Sequence, residues 1–436
     1  MIFRNLLASR RGRLVTFFFL YVTEGIPLGF AAIAIATEMR RQGVGPADIG
    51  AFVGSLYLPW AWKWAFGPFV DVLSSDRFGR RRMWIVTMQV LMTMALFFAL
   101  PLDVRTEVGL FTWVMILHNI FAATQDVAID ALAAQVLPQE ERGLANGVMF
   151  GGAQIGQAIG GSGVLFLTAY VSFPTTYFFV AACILSVTVF IALPLKERPS
   201  KPPALPGSAF RAAGAEIRQF VIDAFRAFTG SRGAFVGLIF ALMPAGAYAL
   251  GLALQSNLAV ELGMSNNAIA TLGVWSSLVF AVCCATGGWL SDHFGRRRML
   301  ALYLAGTTLP TFYMAAAMAR FNWIMPIALD APNRRGVPPE LVTIFWAACL
   351  AYAVFNGLMY GTRTALFMDV TTPAVAATQF TAYMALLNFV IQYSARWQGV
   401  ALERWGYPTT LTIDGVTGLL SIALLPFIAV GRQNRT

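Results

Sequence analysis

Runs of about 20 apolar residues, separated by short polar stretches, recur along the whole chain, as in TYFFVAACILSVTVFIALPL at 176–195. Each run is long enough to cross roughly 30 Å of hydrocarbon as a helix. The pattern predicts spans at 14–37, 49–72, 84–102, 109–133, 143–170, 175–195, 233–260, 267–290, 298–318, 341–365, 377–400 and 409–431. Long alternation of apolar and polar positions is missing, so these are read as helices and not as barrel strands. The expected class is an all-α membrane protein of about twelve transmembrane helices. The opening MIFRNLLASRRGR is basic and an apolar run follows at once, as in a secretory leader. That run is too long and lacks a small-residue cleavage site, so it is read as a retained first helix.

Composition agrees with immersion in lipid: 58% of residues are hydrophobic and 12% charged, with a mean hydropathy of +0.65. A net charge of +10 could point to nucleic acid, so the placement of the charge decides. Of the 31 Lys and Arg, 21 fall on one side of the predicted spans and 7 on the other, the latter including Arg40, Arg41, Arg105 and Arg334. This is the positive-inside bias; it places both termini in the cytoplasm and leaves no call for a nucleic-acid partner. The four cysteines, Cys183, Cys283, Cys284 and Cys349, lie within spans without metal or disulfide spacing and are read as core residues. His118 and His293 also lack metal spacing, and His118 reads as a core histidine. Neither a metal nor a cofactor is expected.

Polar residues inside the spans are the candidates for chemistry. In FAATQDVAIDALAAQVLPQEERG, Asp126 and Asp130 stand one helical turn apart. An aspartate at mid-bilayer costs about 2.5–3.5 kcal/mol on insertion scales. Two carboxylates ~6 Å apart repel by roughly 2.8 kcal/mol at an effective dielectric of 20, so the pair needs a cation or a proton. Lys63, near mid-span between Trp62 and Trp64, cannot reach water easily and needs an anion. It is either a counter-ion that exchanges partners as the protein works or half of a fixed interhelical bridge. Glu24, in TEGIP, sits where Gly25 and Pro27 loosen the backbone, which suits a proton site; the alternative is a carboxyl satisfied by Thr23. Gln154, Gln157 and Gln255 either bind solute or join helices. Asn388, Gln392 and Arg396 lie on one stripe of the eleventh span, and Asn356 and Arg363 in the tenth. Both arginines are near predicted span ends and are read as snorkelling.

The chain repeats itself, for SDRFGRRRM at 75–83 returns as SDHFGRRRM at 291–299, each between the second and third span of a six-span half. Between the halves lies PLKERPSKPPALPG, followed by a stretch with Ile217, Phe220, Val221, Ala224, Phe225 and Phe228 on one helical face. The expected organisation is 1–195 and 233–436 as two halves, with 196–232 as a cytoplasmic linker carrying an amphipathic helix. Two parallel six-helix halves resemble the plan of major facilitator transporters, and that resemblance implies a central cavity around which the halves rock. The loop GGWLSDHFGRRRM, with Gly288, Asp292, Gly295 and Arg296, is similar to the loop motif of that superfamily. Its first-half counterpart offers Asp71, Asp76, Gly79 and Arg80. These residues anchor topology, and a gating role is expected of them as well.

A narrower resemblance is carried by IPLGF at 26–30, LPWAWKWAFGPFVD at 58–71, QDVAIDALAAQVLP at 125–138 and ERGLANG at 141–147. Together these look like AmpG-type muropeptide permeases and the related siderophore importers. The resemblance implies proton-driven import of a bulky polar small molecule across the bacterial inner membrane, with Lys63, Asp126 and Asp130 as shared features; a monomer is expected. GAQIG at 152–156 departs from the muropeptide permeases, placing Gln154 where they often carry an arginine, and RGLANG leans toward the siderophore branch. An enzyme is not expected, because Asp126 and Asp130 share one helix and cannot face each other across a water. A non-transporting membrane sensor is the rival of another class, and the end GRQNRT offers no signalling tail for it.

Overall fold

Hydrocarbon offers no partner for a backbone N–H or C=O, so each apolar run has to satisfy its own groups as a helix. The computed structural model describes residues 5–72, 79–197, 209–329, 331–332, 334, 336–371 and 376–428, and among these there is no strand. The helices are α1 (Arg10–Arg41), α2 (46–72), α3 (Arg80–Ala99), α4 (Val108–Val136), α5 (142–167), α6 (Phe173–Ala192), α7 (Ala209–Thr229), α8 (232–261), α9 (Asn266–Phe294), α10 (Arg296–Arg320), α11 (Pro339–Val370), α12 (376–405) and α13 (407–427). Apart from α7, which is the expected amphipathic helix, these are twelve passes. Eight helical stretches are individually long and apolar enough to cross a membrane, α12 and α13 counting as one because they run on through a kink at Gly406. The passes outside that set are the glycine-rich α5 and the two broken helices α2 and α8.

Those breaks matter for the site. In α2, the helical pieces Pro46–Ser55, Leu58–Ala61 and Gly67–Val72 are separated by irregular turns and a 3-10 turn, Lys63–Ala65. Pro59 and Gly67 weaken continuity there, and the break carries Lys63. In α8, Arg232–Leu242 and Ala253–Glu261 are joined by irregular backbone at 243–252, with Gly246 at φ +80. Its loose N–H groups are satisfied by other helices: Asp414 of α13 accepts from Tyr248 at 2.8 Å and Ala249 at 2.9 Å, and the Thr307 hydroxyl accepts from Ala247 at 3.1 Å.

The chain forms two compact units, Met1–Ile35 with Leu58–Gln219, and Ala36–Tyr57 with Phe220–Thr436. The first is centred on Phe17, Leu20, Ile85, Ile129, Leu132 and Val187. The second is centred on Phe240, Leu304, Phe367 and Tyr383, the last two stacked at 4.6 Å, with Phe228 at the end of α7 packed edge-on against Tyr383. Large apolar side chains such as Phe98, Leu110, Trp113, Leu278, Val282 and Leu309 are exposed, as a surface that meets lipid allows. At one end of the first unit, Arg13 grips Glu141 with two nitrogens, and that hydrogen bond holds the Glu141 carboxyl below the usual carboxylate range.

Small residues set how closely α1 and α5 cross. A Cβ added to Gly156 would sit 2.2 Å from the Val22 carbonyl oxygen, and one added to Gly25 would sit 1.9 Å from that of Ala153. Gly152 and Gly160 meet α1 in the same way, so GAQIG is a helix-crossing motif of the small-xxx-small kind. Because backbone opposes backbone, no rotamer change can relieve a larger residue. Gly156→Leu is expected to cost about 3 kcal/mol or more, read as a lowered unfolding temperature in detergent. Gly151→Leu is the control on the same helix, where an added Cβ meets nothing within 4 Å, and it should unfold as the wild type does.

Candidate functional site

In the first unit, the break in α2 and the acid-bearing stripe of α4 meet. Lys63 Nζ lies 2.7 Å from Asp126 Oδ2 and 3.9 Å from Asp130 Oδ2. The two acids differ in access: the Asp126 side chain is 2% exposed and that of Asp130 is 47% exposed. Asp130 also accepts a hydrogen bond from the Tyr21 hydroxyl of α1. Glu24, one turn further along α1, interacts electrostatically with Asp126, Lys63 and Asp130. Its Oε2 is buried without a hydrogen-bond partner. Thr23 does not satisfy it, because the Thr23 hydroxyl donates to the Leu20 carbonyl and accepts from Gln89 at 3.1 Å and Gln125 at 3.0 Å. Pro27 and a π-helical stretch, Phe30–Ile35, follow Glu24 and leave α1 irregular near the acid. One lysine therefore faces three carboxyl groups, of which one is sealed, one is open and one has an unused oxygen.

The other candidates are placed less tightly. Gln154 and Gln157 are half-buried on α5 and make no side-chain hydrogen bond among the described residues, and Gln255 is half-buried on α8. Asn388 bonds back to the Met384 carbonyl of its own helix, while Gln392 and Asn356 are half-buried. His118 is fully buried and its Nδ1 meets the Met92 carbonyl at 3.0 Å, as a core histidine does.

The repeated loops use their arginines differently. In the first, Arg81 pairs with Asp71, and Arg80 donates to the Asp71 carbonyl at 2.6 Å. Gly79 has φ +84 and starts α3, whose first N–H groups, those of Arg81 and Arg82, are capped by the Glu197 carboxylate. Asp76 lies outside the described residues. In the second, Arg296 bonds Asp292 at 3.0 Å and, across to α11, Asp369 at 2.6 Å and the Ala365 carbonyl at 2.9 Å. Gly295 has φ +95. The glycine that lets α9 approach α11 is Gly287, where a Cβ would sit 2.4 Å from the Leu358 carbonyl oxygen; at Gly288 it would meet nothing. Sequence reading missed Glu197 and Asp369, because each caps or pairs with a loop that is remote in the chain.

Two further expectations change. Arg40, read as an outer-loop charge, is buried and paired with the fully buried Glu261 at the end of α8. Arg40 also donates to the carbonyls of Val44 and Ile327, Glu261 accepts the Ile327 N–H, and Arg334 donates to the Glu261 carbonyl at 2.9 Å. The neighbouring Arg41 donates to Asn266 and to the Met264 carbonyl, each at 2.7 Å. Residues 36–57 are thereby tied to the ends of α8, α9 and α12, all inside the second unit, with Glu403 accepting the Ala47 N–H at 2.9 Å. Arg363, read as snorkelling, is 3% exposed and has its guanidinium inside the second unit. Arg396 is exposed.

Comparison with known proteins gives this geometry its context. The chain is 24% identical over 419 residues to the anhydromuropeptide permease of Escherichia coli, covering 92% of this chain and 77% of that one. Its fold matches a crystal structure of the nucleoside transporter NupG with a TM-score of 0.68, at 16% identity and covering 96% and 100% of the two chains. It also matches a D-xylose–proton symporter with a TM-score of 0.69, at 12% identity and covering 96% and 98%. Residues 14–391 match the family model of the Major Facilitator Superfamily. Twelve helical passes, broken helices that carry charge and this match lead to one conclusion: the chain belongs to the Major Facilitator Superfamily and is a multi-pass membrane transporter, not an enzyme.

Proposed function

We propose that the chain is a proton-coupled importer of a bulky polar solute, in the first place an anhydromuropeptide, working as a monomer in a bacterial inner membrane with both termini in the cytoplasm. The observation that carries the coupling is the cluster of Lys63 with Asp126, Asp130 and Glu24, where one cation stands among three carboxyl groups. With all three ionised the cluster is doubly negative, and each proton taken up lowers the cost of holding it in low dielectric. Asp130 is the entry for that proton, since it alone is open, and Lys63 moves toward whichever acid remains charged. The solute assignment is supported by the similarity to the anhydromuropeptide permease.

In this reading, 1–195 and 233–436 act as the two halves and 196–232 joins them. The loop residues Asp71, Gly79, Arg80, Asp292, Gly295 and Arg296 latch the arginine-rich face. The half-buried Gln154, Gln157, Gln255, Asn356, Asn388 and Gln392 line the solute path.

The experiment is uptake of labelled anhydromuropeptide into vesicles under an imposed pH gradient, with a ferri-siderophore run in parallel. Anhydromuropeptide should accumulate by about tenfold per pH unit for one proton per solute, and collapse of the gradient should abolish it. Accumulation of the siderophore alone would move the chain to the siderophore-importing branch. Accumulation of neither, in vesicles shown to hold folded protein, would contradict the reading and favour a sensor.

A further inference from the structure

Arg363 is a buried cation without a counter-charge. It stands about 10 Å along α11 from that helix's end at Val370, too far for the guanidinium to reach the membrane surface easily. Among the described residues no carboxylate lies within ion-pair distance of it. Its Nη1 donates to the Tyr248 hydroxyl at 2.9 Å, its guanidinium carbon lies 5.6 Å from the centre of the Tyr360 ring, and its Nε is buried with no partner. The one acid nearby in the network, Asp414, is already engaged. Its Oδ2 takes the N–H groups of Tyr248 and Ala249, and its Oδ1 takes the Gln398 amide at 2.7 Å. Asp414 therefore holds the irregular stretch of α8, the stretch presents Tyr248, and Tyr248 orients Arg363.

We propose that Arg363 and the Tyr248 hydroxyl form an anion subsite in the second unit that receives a carboxylate of the transported solute. Irregular backbone at membrane depth is tolerated where it is buried in protein or lines a cavity, and broken helices form the solute sites of many transporters. A guanidinium offers two parallel N–H donors, which match a carboxylate. The subsite provides one positive charge and one hydroxyl, which balance a monoanion; a phosphate dianion calls for a second cation. A structural role for Arg363 also leaves its Nε unsatisfied, which a bound carboxylate would correct. The inference rests on the chain being a transporter, and it adds to the muropeptide reading the requirement of a free carboxylate on the solute.

The test is thermal stabilisation of the purified full chain in detergent by paired probes. One pair is anhydromuropeptide and the same compound with its carboxyl groups amidated; the other is benzoate and benzamide, which do not depend on the solute assignment. The wild type should be stabilised by the acids at concentrations at least tenfold below those needed for the amides, and inorganic phosphate should not compete. In Arg363→Gln the acid preference should vanish, while the unliganded protein unfolds at the wild-type temperature or above it, because an unpaired buried cation has been removed. Arg363→Lys should keep a reduced acid preference. Preference for benzoate with no response to either muropeptide would support the subsite and count against the proposed solute. Equal stabilisation by acid and amide in both pairs, or an undiminished acid preference in Arg363→Gln, would overturn the subsite. A large drop in unliganded stability in Arg363→Gln with the acid preference retained would make Arg363 structural.

Discussion

Asp126→Asn is expected to abolish accumulation against a gradient while leaving exchange of solute across the membrane within about threefold of wild type. The amide keeps the size and hydrogen-bonding capacity of a protonated aspartate, so the helix packing around this 2% exposed side chain survives. What disappears is the carboxylate that Lys63 Nζ meets at 2.7 Å. A gradient of one pH unit stores about 1.4 kcal/mol, or tenfold in concentration, for each coupled proton. A chain that cannot release the proton should equilibrate solute and accumulate none. Glu24→Gln should behave in the same way if its unpartnered Oε2 is where the proton resides. Lys63→Ala is expected to lower thermal stability, because it leaves Asp126 buried beside Glu24 and Asp130 with no cation. Asp126→Asn in the same chain should restore part of that loss. Counterflow, gradient-driven uptake and unfolding temperature on each variant separate these outcomes. Wild-type accumulation in both Asp126→Asn and Glu24→Gln would make the cluster structural.

Glu261→Ala is expected to be the most destabilising of the single charge removals, by about 3–5 kcal/mol, since it leaves Arg40 uncompensated in a buried site. Arg40 is 4% exposed and Glu261 is fully buried, so neither can turn to water without opening the end of α8. The Ile327 N–H, which donates to Glu261 at 3.2 Å, loses its acceptor as well. Replacing both partners by apolar residues, as in Arg40→Met with Glu261→Leu, should recover most of the loss, because the double change removes the desolvated charges together. Unfolding in detergent of the two singles and the double gives the coupling energy directly. A loss under about 1 kcal/mol in Glu261→Ala would mean the pair is solvated, in disagreement with its burial.

The two findings differ in how far the sequence could have given them. Lys63, Asp126 and Asp130 stood out because a charge inside an apolar run has few bland explanations, and their spacing on one helix stripe is a local property. Their meeting needed the break in α2, which Pro59 and Gly67 foreshadow. The helices themselves were legible for the same reason, since hydrocarbon length and backbone satisfaction act on each run separately. Arg40, Glu261 and Arg363 were hidden because each lies near a predicted span end, where snorkelling is the ordinary reading. Only the packing of remote helices shows that those ends are buried. Asp414 is another matter: it sits inside the last predicted span, in LTIDGV, and the same logic that picked out Asp126 applies to it. The irregular stretch of α8 was also signalled, by Pro244, Gly246 and Gly251 in one apolar run. Loop partners such as Glu197 and Asp369 carried no local signal, since capping a distant helix needs only an acid at the right place.

Proton movement measured together with solute movement tests the central claim most directly. Purified chain in sealed liposomes, with a pH-sensitive dye outside and no imposed gradient, is given anhydromuropeptide on the outer side. Wild type should draw protons in with the solute, so that the outer medium becomes more alkaline in a fixed ratio to uptake. Asp126→Asn should take up solute with no such change. Solute entry by the wild type without proton movement would contradict coupling through Lys63, Asp126, Asp130 and Glu24.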